Sequence, residues 1–394
     1  MIYLDYSANT PADPEVLRCL AETETRFPGN PNSDHAAGRA AREEMARVTE
    51  EAARLLGVLP SEVLFNSGAS EGNNTAVKGL AQLSKGRHIV STPLEHASVS
   101  GCLEVLKGQG YEIDLVNVGP DGKIDLSHLQ SLLRPDTALV AVAAVDSELG
   151  AVQPLAEISA LLRDFPNCRL HVDATQAVGK IPLSLEGADT ATLSAHKFYG
   201  PGGCGILFKA RGLDLPPLIH GGASATPYRS GTPALGLAVA QTKALSLATE
   251  RFAERLATVS AHNRELRRFF AAFPRVRINS PEDAVPHILN LSVEGVRGPA
   301  FQSALDREGV CVSVKSACSS DGAPSRAVLA VTGDRRNALS SWRISLSHRT
   351  TPRSSGNLRS ASPAATKPLP PAEGGPAGPP GRFSRNSEVF FKNR

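Results

Sequence analysis

The sequence predicts an α/β protein: a large domain with a mostly parallel sheet flanked by helices, followed by a smaller α+β domain. Three observations carry this expectation. Between about residues 60 and 210, short β-rich runs alternate with helical stretches, the mark of a doubly wound sheet. The run ALVAVAAV is apolar on both of its faces, as a strand covered by helices on each side must be. After Phe273 the pattern changes to PHILNLSV, a loop-rich stretch and WRISLSH, which reads as a separate, smaller unit.

Taken in order, residues 1–14 form a segment expected to join the small domain, and residues 15–255 the large one. Met45, Val48, Ala52, Leu55 and Leu56 recur at three- and four-residue steps behind Asn32 and Ser33, predicting an amphipathic helix capped by that pair. Strands follow at Glu62 to Phe65, His88 to Ser91, Ala138 to Val145, Arg169 to Asp173, Ala191 to Ser194 and Gly205 to Lys209. A long helical region, with room for one break, runs from Pro233 to Phe273. Residues 256–350 make the small domain. From 351 to 394 the chain turns to Pro, Gly, Ser and Arg, loses all periodicity and reads as a disordered tail.

Composition excludes more than it selects. Apolar residues at 41% and charged residues at 21% are ordinary for a folded enzyme, and 394 residues can bury a large core. The net charge of +3 is concentrated in the tail, with seven Lys/Arg against two Glu, so no basic groove for nucleic acid is indicated. No apolar run reaches the ~18 residues of a membrane span, and no leader-like pattern opens the chain, so a cytoplasmic location is expected. Six scattered cysteines (Cys19, Cys102, Cys168, Cys204, Cys311 and Cys318) show no CxxC pair or metal-ligand rhythm, arguing against disulfides and a resident metal.

The densest chemistry lies in HVDATQAVGK and SAHKFYGPGG. Asp173 ends one predicted strand and Lys197 follows another, and open α/β sheets bind ligands at those ends. FNSGASEGNN turns a strand through Gly68 into a helix, presenting backbone N–H groups and the Ser70 hydroxyl to an anion. His96, in TPLEHASV, follows a further strand and offers a flat ring. Singly, these are a surface lysine, a loop-capping aspartate, an ordinary helix start and a packed histidine. Their common place on successive strand ends is what pyridoxal phosphate requires: an amine for a Schiff base, an anion for the ring nitrogen and a phosphate cradle. Gln176 is placed to hydrogen-bond the ring hydroxyl.

These blocks, with YLDYSANTPADPEV, GNPNSDHAAG, YRSGT, VRGPA, KSACSS and SWRISL, resemble the class V aminotransferase group and most closely the cysteine desulfurases. The resemblance spans roughly residues 1–350. It implies a fold type I pyridoxal-phosphate enzyme working as a homodimer, with Lys197 carrying the cofactor. It further implies phosphate binding by Ala69, Ser70, Ser194, His196 and a partner-supplied Thr232, and substrate carboxylate binding by Arg343 and, more weakly, Asn30. KSACSS makes Cys318 the sulfur acceptor: its thiolate would attack the sulfur of L-cysteine, leaving a persulfide and alanine. Attack requires a thiolate, so a cation is needed near it, with His96 the first candidate. The sulfur would pass to an iron–sulfur scaffold or tRNA thiolation enzyme, with any metal contact limited to a transient one through Cys318.

Three departures from the family pattern stand out. VDSELG puts Ser147 where an asparagine is usual, at a cost of about tenfold in rate or affinity if a hydrogen bond is lost. HGGASATPYRSGT lacks the polar pair that usually follows its glycines. After Thr350 and Thr351 the tail replaces an acidic helix, as a natural extension or an altered reading frame would, and is expected to leave an apolar seat exposed on a weakened small domain. Alternative readings are another enzyme of the same fold, such as a selenocysteine lyase, and a non-catalytic scaffold.

Overall fold

The computed structural model describes residues 1–222, 224–314 and 322–351. The predicted tail and Cys318 therefore lie outside the described residues. In chain order the elements begin β1 (Ile2–Tyr3), α1 (Pro14–Arg26), α2 (Ala36–Leu56), β2 (Val63–Asn66), α3 (Ala69–Leu83), β3 (His88–Ser91), α4 (Ala97–Gly108), β4 (Glu112–Leu115) and α5 (Leu126–Leu132). They continue as β5 (Thr137–Ala143), α6 (Leu155–Leu162), β6 (Arg169–Asp173), β7 (Thr190–Ser194), β8 (Gly205–Lys209), α7 (Leu235–Glu250) and α8 (Phe252–Ala271). The last are β9 (Val276–Ile278), β10 (Ile288–Val293), α9 (Gly298–Arg307), β11 (Val310–Cys311), α10 (Arg326–Thr332), α11 (Arg335–Ser340) and β12 (Ser341–Ser345).

The large sheet has seven strands in the order β2-β8-β7-β6-β5-β3-β4, all parallel except β8. β8 reverses because the turn joining it to β7 is too short for the crossover that a parallel neighbour needs. β5, the ALVAVAAV strand, is buried at all seven positions between β3 and β6. Two apolar clusters cover the sheet's faces. One is built on Val140, Val142, Leu170 and Val172 with Ala240 and Leu245 of α7, and the other on Ile89, Leu139 and Leu80 of α3.

A further core gathers around Trp342, with Phe270 of α8, Phe301 of α9, Leu289, Leu291 and Leu4. β9, β10 and β12 form its antiparallel sheet, while β1 pairs with β11 and Asp5 bridges to Ser345. The long helical region breaks at Arg251, between α7 and α8.

The structure differs from the sequence expectations at two places. The cap of α2 is His35, whose Nδ1 accepts from the Gly38 amide at 3.2 Å, and not Asn32 or Ser33. The segment before it is spent on a tight turn in which the Ser33 amide donates to the Asn30 carbonyl. β4 was not anticipated, because EIDL is an edge strand whose end residues are exposed and whose acids break the apolar signal. Where the expected apolar seat would lie depends on residues after Thr351, which are outside the described residues. No helix among the described residues is long and apolar enough to cross a membrane.

Candidate active site

The parallel strands deliver their carboxyl ends to one side of the sheet, and there they wall a cavity of about 330 Å³. β2 leads through Gly68 into α3, bringing Ala69 and Ser70; β3 leads to His96 and β5 to Ser147. β6 ends on Asp173, with Gln176 in the following turn, and β7 ends on Ser194, with His196 and Lys197 in a single 3₁₀ turn. Gly68 has φ +135°, open to glycine but not to a residue with a side chain, so the turn into α3 is sequence-specific. No side chain caps the N-terminus of α3, which leaves its first amides to face the cavity.

Short hydrogen bonds fix the groups on this wall. Asp173, almost fully buried, accepts from the Asn73 amide at 2.8 Å through Oδ2 and from the Thr175 backbone at 3.0 Å through Oδ1. The same Asn73 amide donates to Ser98 Oγ at 2.8 Å, and Ser98 Oγ lies 2.8 Å from His96 Nδ1. Asn73 Oδ1 in turn meets His171 Nε2 at 3.0 Å. Lys197 Nζ donates to the carbonyls of Ser7 and Ala8, at 2.7 Å each. Ser194 Oγ lies 2.9 Å from His196 Nδ1.

His96 does not fit the role of a standing cation. Burial, with Lys197 and Arg326 nearby, pushes its pKa below the usual histidine value despite the opposing charge of Asp173. Its Nδ1 already accepts from the Ser98 amide at 3.1 Å, so the neutral ring carries its proton on Nε2. It is a flat donor rather than an imidazolium. His196 is likewise neutral, held down to about 4 by burial and by the charges of Lys197 and Lys180.

The opposite wall comes from the Trp342 core. Arg343 of β12 is 2% exposed, and its Nη2 donates to Asp5 Oδ1 at 2.9 Å and its Nη1 to the Ser147 carbonyl at 2.7 Å. Asp5 is held from its other side by Ser313 Oγ at 2.7 Å. Arg343 Nε is buried without a partner. The fork expected to be open to both oxygens of a carboxylate thus has one N–H of each terminal nitrogen engaged, which leaves the second N–H on Nη1 and on Nη2 to offer.

Ten of the thirteen residues singled out from the sequence line this one cavity. Asn30 and Thr232 do not; they face each other at 3.5 Å on an exposed surface. Cys318 lies outside the described residues. Sequence reasoning missed Asn73, Ser7 and Asp5. Asn73 sits one helical turn beyond Ser70, a spacing that places both on one face of α3, and this was the available signal.

Comparison with known proteins bears on what such a cavity does. The Aminotransferase class-V sequence family matches residues 2–354. A NifS/IcsS protein homolog of Lactobacillus delbrueckii subsp. bulgaricus is 37% identical over 336 residues, 84% of this chain and 87% of its own. Cysteine desulfurase IscS of Dictyoglomus turgidum is 35% identical over 361 residues, 89% of this chain and 90% of its own. A solved NifS-like protein superposes with a TM-score of 0.86 at 32% identity, covering 92% of this chain and 98% of its own.

Proposed function

Because the chain belongs to the class-V aminotransferase family, we propose that it is a pyridoxal-phosphate-dependent cysteine desulfurase that serves iron–sulfur cluster assembly. The observation that carries the reading is the convergence of Lys197, Asp173 and Arg343 on one cavity beside the uncapped start of α3. L-Cysteine is converted to L-alanine while its sulfur passes to the Cys318 thiol as a persulfide, so atoms and electrons balance without an outside reductant. Delivery to a tRNA thiolation enzyme is a further outlet of the same persulfide.

The cavity suits the cofactor. Ser7 Oγ and Thr175 Oγ1 line it as buried hydroxyls without hydrogen-bond partners, and the open amides of α3 suit a phosphate. Ala69, Ser70, Ser194 and His196 would hold that phosphate, Asp173 the ring nitrogen and Gln176 the ring hydroxyl. Bound there, pyridoxal phosphate supplies an electron sink for the carbanion that forms at the substrate Cα. Lys197, released from the Ser7 and Ala8 carbonyls, moves the Cα proton, and Arg343 holds the substrate carboxylate with its remaining N–H groups. His96 covers the ring as a neutral plate.

A homodimer is part of the reading. Thr232 stands outside its own chain's cavity lining, which suits a residue supplied across a two-fold interface. A cytoplasmic setting suits the five described cysteines, all of which are free.

The test is an absorbance spectrum of the purified protein before and after L-cysteine, with assays for alanine and for persulfide. A band near roughly 400 nm, alanine release and persulfide lost in Cys318→Ala are expected. A protein that stays colourless with added cofactor, or that forms alanine and persulfide equally well without Cys318, overturns the reading. Release of selenide but not sulfide would reassign the substrate.

A further inference from the structure

Lys180 stands just behind the cavity, in the turn after β6, and the steps assigned above make no use of it. It is 6% exposed, and among the described residues its amine has a single hydrogen-bond partner, Gln176 Oε1. No carboxylate pairs with it among the described ion pairs, and burial first, then repulsion from Lys197 and Arg343, pulls its pKa well below the usual lysine value. A side chain kept only to fill space there would be better served by methionine or leucine, since a buried amine without a counter-charge is costly.

Its donor does have a use. Gln176, 5% exposed, gives its Nε2 to the Ser7 carbonyl at 2.9 Å, the same oxygen that accepts from Lys197 Nζ at 2.7 Å. A carbonyl can only accept, so the amide nitrogen must face Ser7 and the amide oxygen must face Lys180. Without Lys180 that oxygen is buried and unsatisfied, and the carboxamide is free to turn. Lys180, Gln176, Ser7 and Lys197 thus form one chain of hydrogen bonds joined at the Ser7 carbonyl.

We propose that Lys180 is a positioning residue for the cofactor, holding the Gln176 oxygen so that the amide N–H groups point to the Ser7 carbonyl and to the phenolic oxygen of bound pyridoxal phosphate. The proposal rests on the cofactor reading given above and adds to it a residue that touches neither cofactor nor substrate.

The experiment uses the full chain stripped of cofactor and reconstituted with pyridoxal 5'-phosphate, reading the dissociation constant and the visible band of the bound cofactor. Lys180→Met keeps an unbranched side chain, one atom shorter, and removes the donor; it is expected to weaken binding about tenfold and to move the band. Gln176→Ala should do the same, and the double variant should be no worse than Gln176→Ala alone, because one residue acts through the other. Lys180→Gln, which restores a donor, should recover most of the affinity. Losses that add in the double variant, or an unchanged band and affinity in Lys180→Met, overturn the proposal. So does a Lys180→Gln protein that melts cooperatively yet binds as weakly as Lys180→Met. A parent protein that takes up no cofactor and shows no band overturns the cofactor reading itself, and the proposal with it.

Discussion

The two walls of the cavity are built on different principles. The sheet wall is assembled from strand ends and bound within itself: Asp173, Asn73, Ser98 and His96 hold one another in a row of bonds between 2.8 and 3.1 Å. The facing wall is a single guanidinium, Arg343, carried by another core and held in place only by reaching Asp5 and the Ser147 carbonyl. The first wall is organised for chemistry before any ligand arrives. The second depends on Asp5 and Arg343, 338 positions apart, staying together, and it is suited to grasping a carboxylate.

This contrast predicts different kinetic signatures. Asp173→Asn on the sheet wall removes the negative charge that supports the electron sink, and alanine formation at saturating L-cysteine should fall on the order of 10²- to 10³-fold. A loss under about threefold in kcat would mean that the carboxylate only organises Asn73 and Thr175. On the facing wall, Arg343→Lys keeps a charge but loses the fork. It should raise KM for L-cysteine about 10- to 100-fold with kcat little changed. An equal fall in kcat and kcat/KM would instead show that Arg343 acts in the transition state, and the division of labour between the walls would fail.

The sheet wall was legible in the sequence because its residues follow directly on strands whose apolar runs are local signals. Asp173 after HVD and Lys197 after the ATLS run could be placed at strand ends from the sequence alone. The support behind them was not legible. Asn73 meets Asp173 across 100 positions, and Asp5 meets Arg343 across 338, and no local periodicity encodes such pairs. The resemblance to a family located Arg343 but not what holds it. The neutral state of His96 in this fold was not legible for a related reason. A sequence shows a histidine in LEHASV, but neither its burial nor the Ser98 amide that occupies Nδ1. The cap of α2 failed more locally: Asn32 and Ser33 are good capping residues, yet the turn anchored on Asn30 takes them first.

The smallest effect expected lies inside the sheet wall, one residue before His96. Glu95 is fully enclosed, accepts from Thr92 Oγ1 at 2.7 Å and the Ala143 amide at 3.0 Å, and has an Oε2 with no partner. Burial first, and then the charges of Asp173 and Asp146, raise its pKa from 4.5 to about 8, against the pull of those two hydrogen bonds. Between these values the folded protein keeps a proton that the unfolded chain has lost, so stability falls as pH rises through that window. The buried histidines His171 and His196, lowered to about 4, work in the opposite sense, but only below their unfolded value of 6.5. Between about pH 7 and about pH 8 buried Lys180 also works against Glu95, because the unfolded chain holds a proton that the folded amine lacks, while the Glu95 carboxyl by itself lowers stability by about 1 kcal/mol, or on the order of 1–2 °C in melting temperature. Asp146, raised to about 7 by burial and by Glu148, contributes in the same direction at the lower end of that range. Glu95→Gln should make the slope of stability against pH more positive over this range, measured by thermal melts of the cofactor-free protein. An unchanged slope would mean that Glu95 is ionised in the fold, and a carboxylate there would place a second negative charge behind Asp173 on the chemical wall, with nothing comparable on the other.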